Sequence, residues 1–460
     1  MARKIIPIDG PGNPPIGGPP GRHQVPNVKP WKLPRQKTYV FTNANIVDTE
    51  NGAIIENQDL HTADGIITAI GKDLPVWAKD TIVDLKGRYI CPGLIDCHVH
   101  LTAVAGEAGL GSQLSESDVA VSYFRQPFLC NQILSRGFTT VRDTGGATLA
   151  LKEAIADDVF PGPRLFIANK ALSQTGGHGD DRGQHDNSKC CGGSGSLSTV
   201  VDGVPACLTQ AREQMRTGAD FIKIMVGGGV ASPADKLENT QFTADEIRAI
   251  VDVAESYGTY VTAHAYTPKA IRHAVDNGVK GIEHGNLIDA DTAKYLAEKN
   301  ISLTPTLVTY QAMGEDKYRD FLPPANQDKN QQVLQRGLVS LKLAHDAGVT
   351  LCHGSDLLGP LHEEQSREFG IRSQVLSNKV VLQGATVNAA RMLRQDKFLG
   401  QVKVDFAADL LILDKNPLED VSIFDDPRSN VLAVLKNGRV YKSRWGGLKE
   451  DIDRRDDVAR

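Results

Sequence analysis

The chain of 460 residues is poor in several things that define other classes of protein. It has no run of about eighteen apolar residues, so no helix long enough to span a bilayer is expected. It has no basic surplus, because 51 Lys and Arg face 56 Asp and Glu. The formal charge of -5 argues against a general nucleic-acid binder. Met1 to Gly21 holds no apolar stretch of the kind a signal peptide needs, being broken by Pro7, Pro11, Pro14, Pro15, Pro19 and Pro20. Cysteine is scarce and odd in number, with 7 in the chain and none in a C-x-x-C pair. Neither a disulfide scaffold nor a structural zinc site is indicated, and reduced thiols in a cytoplasmic protein are the plain expectation. Cys190-Cys191 sits in a Gly/Ser-rich stretch and is the one candidate for pairing elsewhere.

What is present is glycine and proline, 44 and 23 residues, in a chain that is 40% hydrophobic and 23% charged. That is a soluble globular composition with many turns, long enough for a large core. Residues 1–36 read as a Pro/Gly-rich arm that packs along the body or a neighbouring subunit. From Thr38, short β-type runs are separated by turns such as Ala63-Asp-Gly65. Similar runs return at Ala408–Asp414, Ser429–Leu435 and Gly438–Tyr441. The two ends, 37–90 and 396–445, are expected to complete one small β-sandwich, with 446–460 a tail.

Between them, over 91–395, short apolar strands alternate with helical patterns. The strands include Thr139–Asp143, Phe221–Met225, Tyr260–His264, Gly281–His284, Ser302–Pro305 and Thr350–His353. Thr243-Ala-Asp-Glu246 has the form of a capping box opening a helix. The alternation predicts an α/β chain with a parallel sheet, most simply a (β/α)8 TIM-like barrel. In such a barrel the C-terminal strand ends carry the chemistry.

Chemically loaded residues fall at those ends. His98 and His100 are two apart, so in an extended strand they point the same way and can reach one metal. Lys223 lies among apolar residues in Phe221-Ile-Lys-Ile-Met225, where an unpaired ammonium is costly. It reads as a salt-bridged lysine, a Schiff-base lysine or a lysine carboxylated by CO2. His264, His284 and Asp356 each close a predicted strand. Singly each is an ordinary residue; together they form a donor set suited to zinc or a similar divalent ion. His185, His345, His353 and His362 read as surface or supporting groups. Gly227-Gly-Gly229 lacks the Lys-Ser/Thr of a phosphate loop and reads as room for substrate beside Lys223.

The ordered set His-x-His, Lys, His, His, Asp, with Pro92-Gly-Leu-Ile-Asp96 before it, resembles the amidohydrolase superfamily in its binuclear, carboxylated-lysine subtype. The words Ala171-Leu-Ser-Gln-Thr-Gly-Gly-His-Gly-Asp180 and Lys223-Ile-Met-Val-Gly-Gly-Gly229 are similar to the branch of prolidase-like Xaa-Pro dipeptidases, N-acyl-amino-acid hydrolases and ochratoxinase. The resemblance runs from about Thr38 to Tyr441. It implies two divalent metal ions, zinc first, and an N6-carboxylated Lys223 bridging them. His98, His100 and Asp356 would hold one metal, and His264 and His284 the other. A metal-bridging hydroxide would attack the amide, with Asp356 as proton carrier and with Tyr266 and His178 assisting the carbonyl.

The implied substrate is a small amide or dipeptide with a free carboxylate on the amine side. A binuclear hydrolase of a cyclic amide or lactone is the alternative. A non-catalytic scaffold with this fold would be expected to have lost ligands, and all six are present. A homo-oligomer is expected, with no nucleic-acid or membrane partner. The loop after Asp356, Leu-Leu-Gly-Pro-Leu-His, departs from the small or hydroxyl residue usual there in relatives. The segment 184–204 is either a lid over the pocket or a surface loop.

Overall fold

The computed structural model describes residues 29–104, 106, 119–182, 185–186 and 197–452. Most of the expected N-terminal arm, the end of the tail, and Cys190 and Cys191 lie outside the described residues. The other five cysteines, Cys91, Cys97, Cys130, Cys207 and Cys352, are buried free thiols. Among the described residues no helix is long and apolar enough to cross a membrane.

The two ends of the chain meet in one eight-stranded sheet. Thr38–Asp48 pairs antiparallel with Ala53–Ala63, which pairs with Ile66–Gly71. It also pairs parallel with Asp80–Asp84 and Tyr89–Pro92. Tyr89–Pro92 then pairs antiparallel with Leu410–Leu413, and Val431–Lys436 and Arg439–Ser443 follow. The sequence led us to expect a sandwich of the two ends; their hydrogen bonds run through a single sheet. Successive residues of its middle strands enter two different cores. Ile90, Leu410, Ile412 and Leu435 pack with Tyr39, Phe41 and Val440. Cys91, Leu411, Leu413 and Val434 pack into the large core of the body. A strand buried on both faces must be apolar without alternation, which accounts for Leu410-Leu-Ile-Leu413.

The body is built of parallel strands joined by helices. Leu94–Val99, Phe138–Asp143 and Arg164–Ile167 form one parallel sheet. The second runs in the order Ser198–Val200, Ala171–Ser173, Ile222–Met225, Val261–Ala265, Gly281–His284, Ser302–Thr304 and Thr350–Leu351. Backbone hydrogen bonds link both margins of the smaller sheet to the larger unit. Asp220 N donates to Ile167 O at 2.7 Å on one side, and Cys97 N to His353 O at 2.8 Å on the other. The expected capping box is present: Thr243 Oγ1 accepts from Glu246 N, and Glu246 Oε2 accepts from Thr243 N at 2.7 Å. It starts Ala244–Ser256, whose Ile247, Ile250, Val251 and Ala254 face the core.

Several boundaries differ from expectation for local reasons. Residues 198–200, read as loop, pair with Ala171–Ser173 as a strand. Residues 427–430 form a short helix because Asp426 caps Ser429 N, which delays the following strand to Val431. Arg164–Ile167 is a further strand outside those expected, although Leu165-Phe-Ile167 is an apolar run.

Candidate metal centre

His98 sits near the end of Leu94–Val99, and His100 just beyond it. The lead-in aspartate explains how that strand is aimed. Asp96 Oδ1 accepts from His98 N and Ser355 N, each at 3.1 Å. Asp96 Oδ2 accepts from Ser355 Oγ at 2.6 Å and Gln365 Nε2 at 2.9 Å. One buried carboxylate thus ties the His98 strand to the turn carrying Asp356. Asp356 Oδ1 lies 3.2 Å from Nε2 of both His98 and His100.

His264 closes Val261–Ala265 and His284 closes Gly281–His284. The rings of His264 and His284 lie 4.6 Å apart, and those of His98 and His284 4.9 Å apart. Lys223 is buried in the middle of Ile222–Met225. It lines one narrow cavity of about 50 Å³ with the four histidines, Asp356, His178 and Tyr266. All the site residues singled out in the sequence therefore converge. His98, His284 and Asp356 are the tightest group, with ligand atoms within 4.8 Å of one another.

Each histidine has one nitrogen already committed. His98 Nδ1 meets Glu283 Oε2 at 2.8 Å, and His100 Nδ1 meets Gly145 O at 2.9 Å. His264 Nε2 meets Gly228 O at 3.1 Å, and His284 Nδ1 meets Thr306 Oγ1 at 2.7 Å. The opposite nitrogen of each ring is thereby oriented, as metal-ligating imidazoles are held. His284 and Asp356 both adopt left-handed backbone, with φ of 74° and 52°. Residues that are not glycine rarely do so, and the strain is borne where two strand ends turn into the cavity.

The charges follow from burial and neighbours. Burial would raise the Asp356 carboxyl, but His98 and His100 hold it well below the usual range. Burial pushes His264 and His284 down, so both stay neutral and able to ligate. Burial also brings Lys223 down to about 8, against the pull of Glu283 and Asp356. Neutral imidazoles at His264 and His284, the Asp356 carboxylate and a lysine whose proton is held more weakly than usual are donors that fit divalent metal ions.

Some functional residues carried no role in the sequence reading. Glu283 and Arg142 form a fully buried ion pair, Nη2 to Oε1 at 2.6 Å, and Thr262 Oγ1 also donates to Glu283. Burial opposes the Glu283 charge, yet Arg142 and His98 hold it far below the ordinary value. A lone acid in Gly281-Ile-Glu-His284 and a lone base in Phe138–Asp143 were the available signal, since each buried charge demands the other. Tyr310, from helix Leu307–Met313, bonds Tyr266 OH at 2.7 Å and His284 Nδ1 at 3.0 Å.

Of the remaining histidines, His353 is not at the surface. It is buried between Phe138 and Phe369, with ring centroids at 5.4 Å and 4.5 Å. His362 is likewise buried, Nε2 at 2.9 Å from Ala103 O. His345 is half-buried and His185 exposed. The glycines after Lys223 admit protein rather than open space: a Cβ on Gly229 would lie 2.0 Å from the His178 ring.

Residues 89–441 match the amidohydrolase family. The chain belongs to that family, and with it to the hydrolases that act on amide carbon–nitrogen bonds. Within the family it falls with the prolidase and ochratoxinase branch. It is 41% identical to a prolidase solved with N-methylphosphonate-L-proline, over 89% of this chain and 100% of that one, at a TM-score of 0.85. A Xaa-Pro dipeptidase with bound methionine is 28% identical over 88% and 100%, at a TM-score of 0.80. The ochratoxinase of Aspergillus niger is 28% identical over 88% of this chain and 87% of its own.

Proposed function

We propose that the protein hydrolyses a small amide whose amine side carries a free carboxylate: an N-acyl amino acid, an Xaa-Pro-like dipeptide or an ochratoxin-like amide. The observation that carries this reading is the single cavity shared by His98, His100, His264, His284, Lys223 and Asp356, with each imidazole already oriented. The substrate classes come from the prolidase, dipeptidase and ochratoxinase relatives. We further read the two parallel sheets as one (β/α)8 barrel, in keeping with the hydrogen bonds at their margins.

His98, His100 and Asp356 would hold one divalent ion, His264 and His284 a second, and Lys223, carboxylated by CO2, would lie between them. Zinc is the first choice. When bound, the ions supply an acidified water and an electrophile for the amide carbonyl. The chain's own residues do the rest. Asp356 takes the proton of the attacking water and returns it to the leaving nitrogen. Tyr266 and His178 face the cavity where negative charge develops on the carbonyl oxygen. Burial raises the Tyr266 hydroxyl, so it stays protonated and able to donate.

The test is hydrolysis of a panel by zinc-loaded protein, read by mass spectrometry. The panel holds Xaa-Pro and other dipeptides, N-acyl amino acids and ochratoxin A, with Asp356→Asn as control. Release of a free amino acid by the parent alone supports the reading. Silence with metals bound overturns it in favour of cyclic amides or lactones.

A further inference from the structure

His178 is held by a buried network that the reaction described so far does not use. Its ring stacks on His264 with centroids 4.0 Å apart, which fixes the ring plane. Rotation within that plane is fixed by Ser232, whose Oγ lies 2.9 Å from His178 Nδ1. Ser232 Oγ in turn donates to Asp235 Oδ1. A serine hydroxyl has one proton. With that proton on the carboxylate, the oxygen is left to accept from His178 Nδ1–H.

Asp235 has a second hold on the same residue. Its Oδ2 accepts from Gln241 Nε2 at 2.8 Å, and Gln241 Oε1 accepts from the His178 backbone N at 2.9 Å. Gly229 N also donates to Oδ2 at 3.2 Å, beside the ring that its missing side chain admits. Lys329 Nζ balances the charge at 3.4 Å from Asp235 Oδ1 and bonds Ser232 O at 3.0 Å. Both Ser232 and Asp235 are buried.

We propose that Ser232 and Asp235 are positioning residues for His178, acting as a His178–Ser232–Asp235 relay that commits Nδ1 and turns Nε2 to the substrate. Asp235 is the hub, gripping the ring through Ser232 and the backbone through Gln241. The arrangement places a carboxylate behind a cavity-facing imidazole without letting the two touch. Its kinetic consequence rests on the amide-hydrolase reading above; its geometric consequence does not.

Two measurements on Ser232→Ala, Ser232→Thr and Asp235→Asn decide the matter. The first is the crystal structure of each metal-loaded variant. In Ser232→Ala the His178 ring rotates or splits into two conformers, and in Ser232→Thr it stays in place. The second is steady-state kinetics with a substrate from the panel, beside the affinity for a phosphonate analogue of the tetrahedral state. A misplaced group costs on the order of 100-fold, so kcat of Ser232→Ala falls by about 10- to 100-fold with KM little changed. Phosphonate affinity falls in parallel, metal content holds, and the threonine variant recovers most of the loss.

A His178 ring unmoved in Ser232→Ala overturns the proposal whatever the activity. So does undiminished kcat in an active enzyme. A parent with no turnover, alongside a displaced ring in the variant, would instead overturn the amide-hydrolase reading and leave the relay standing.

Discussion

Glu283 accepts from His98 Nδ1 at 2.8 Å while its other oxygen takes Arg142 Nη2 at 2.6 Å. A cavity-facing imidazole is thus backed by a carboxylate that is itself neutralised. Neither charge has water to fall back on, and Arg142 Nε is spent on Cys97 O at 2.6 Å.

Glu283→Gln is therefore expected to hurt twice. Losing the carboxylate behind a ligating histidine lowers metal affinity by about 10- to 100-fold. Leaving Arg142 buried without its counter-charge costs about 3–5 kcal/mol of stability. Metal titration and thermal unfolding of the same sample check both. A variant with full metal affinity would show that Glu283 does not orient His98.

Asp356→Asn keeps the shape and the left-handed backbone, which asparagine tolerates. It removes the proposed proton carrier. Metal content is expected to stay largely intact while turnover drops by about 100-fold or more, the range for loss of a general base. Inductively coupled plasma analysis beside the hydrolysis assay separates the two effects. Unchanged turnover would remove Asp356 from the proton path.

Lys223→Ala takes away the only amine lining the cavity among the described residues. The expected result is loss of bound metal and of activity. In the parent, native mass spectrometry is expected to find one CO2 adduct that disappears on acidification. A fully active, metal-replete alanine variant would exclude a carbamate bridge.

Asp425 gives a pH-dependent term away from the centre. Burial raises its carboxyl from 3.8 to about 6, although Gly370 N–H opposes the shift. The folded chain then holds this proton more tightly than the unfolded chain. The associated stability is complete below about pH 4 and is lost as pH rises through about 6. Asp425→Asn should flatten the stability curve across that window, as read by urea midpoints at several pH values. A parent–variant difference that does not change with pH would show that Asp425 does not titrate on folding.

The residues that meet in the cavity were legible because strand ends leave a simple trace: a short apolar run closed by a polar group. His264, His284 and Lys223 each stood out against such a run. Their supports were harder to see. Glu283 and Arg142 lie 141 residues apart and make sense only as a pair. The Asp235 network joins a turn, a strand margin and helix Pro324–Asp346, and no spacing in the sequence announces it. His353 was ambiguous because one residue of register separates a ring that packs on Phe369 from one that would face the cavity. The shared sheet of the chain ends could be anticipated from their β patterns, but its order is set by long-range pairing.

That sheet also dictates when the protein can become itself. Tyr89–Pro92 has its partner at Leu410–Leu413, and the last strand of the sheet ends at Ser443. A nascent chain emerging from the ribosome has all six proposed metal-holding residues in hand once Asp356 is made. The edge of Tyr89–Pro92, only a few residues upstream of His98, is still unpaired at that point. Closure waits for Leu410–Leu413, more than 300 residues further on, the kind of late, non-local contact that slows folding and exposes intermediates. Loss of Val431–Lys436 or Arg439–Ser443 should therefore be felt first as poor recovery of folded protein.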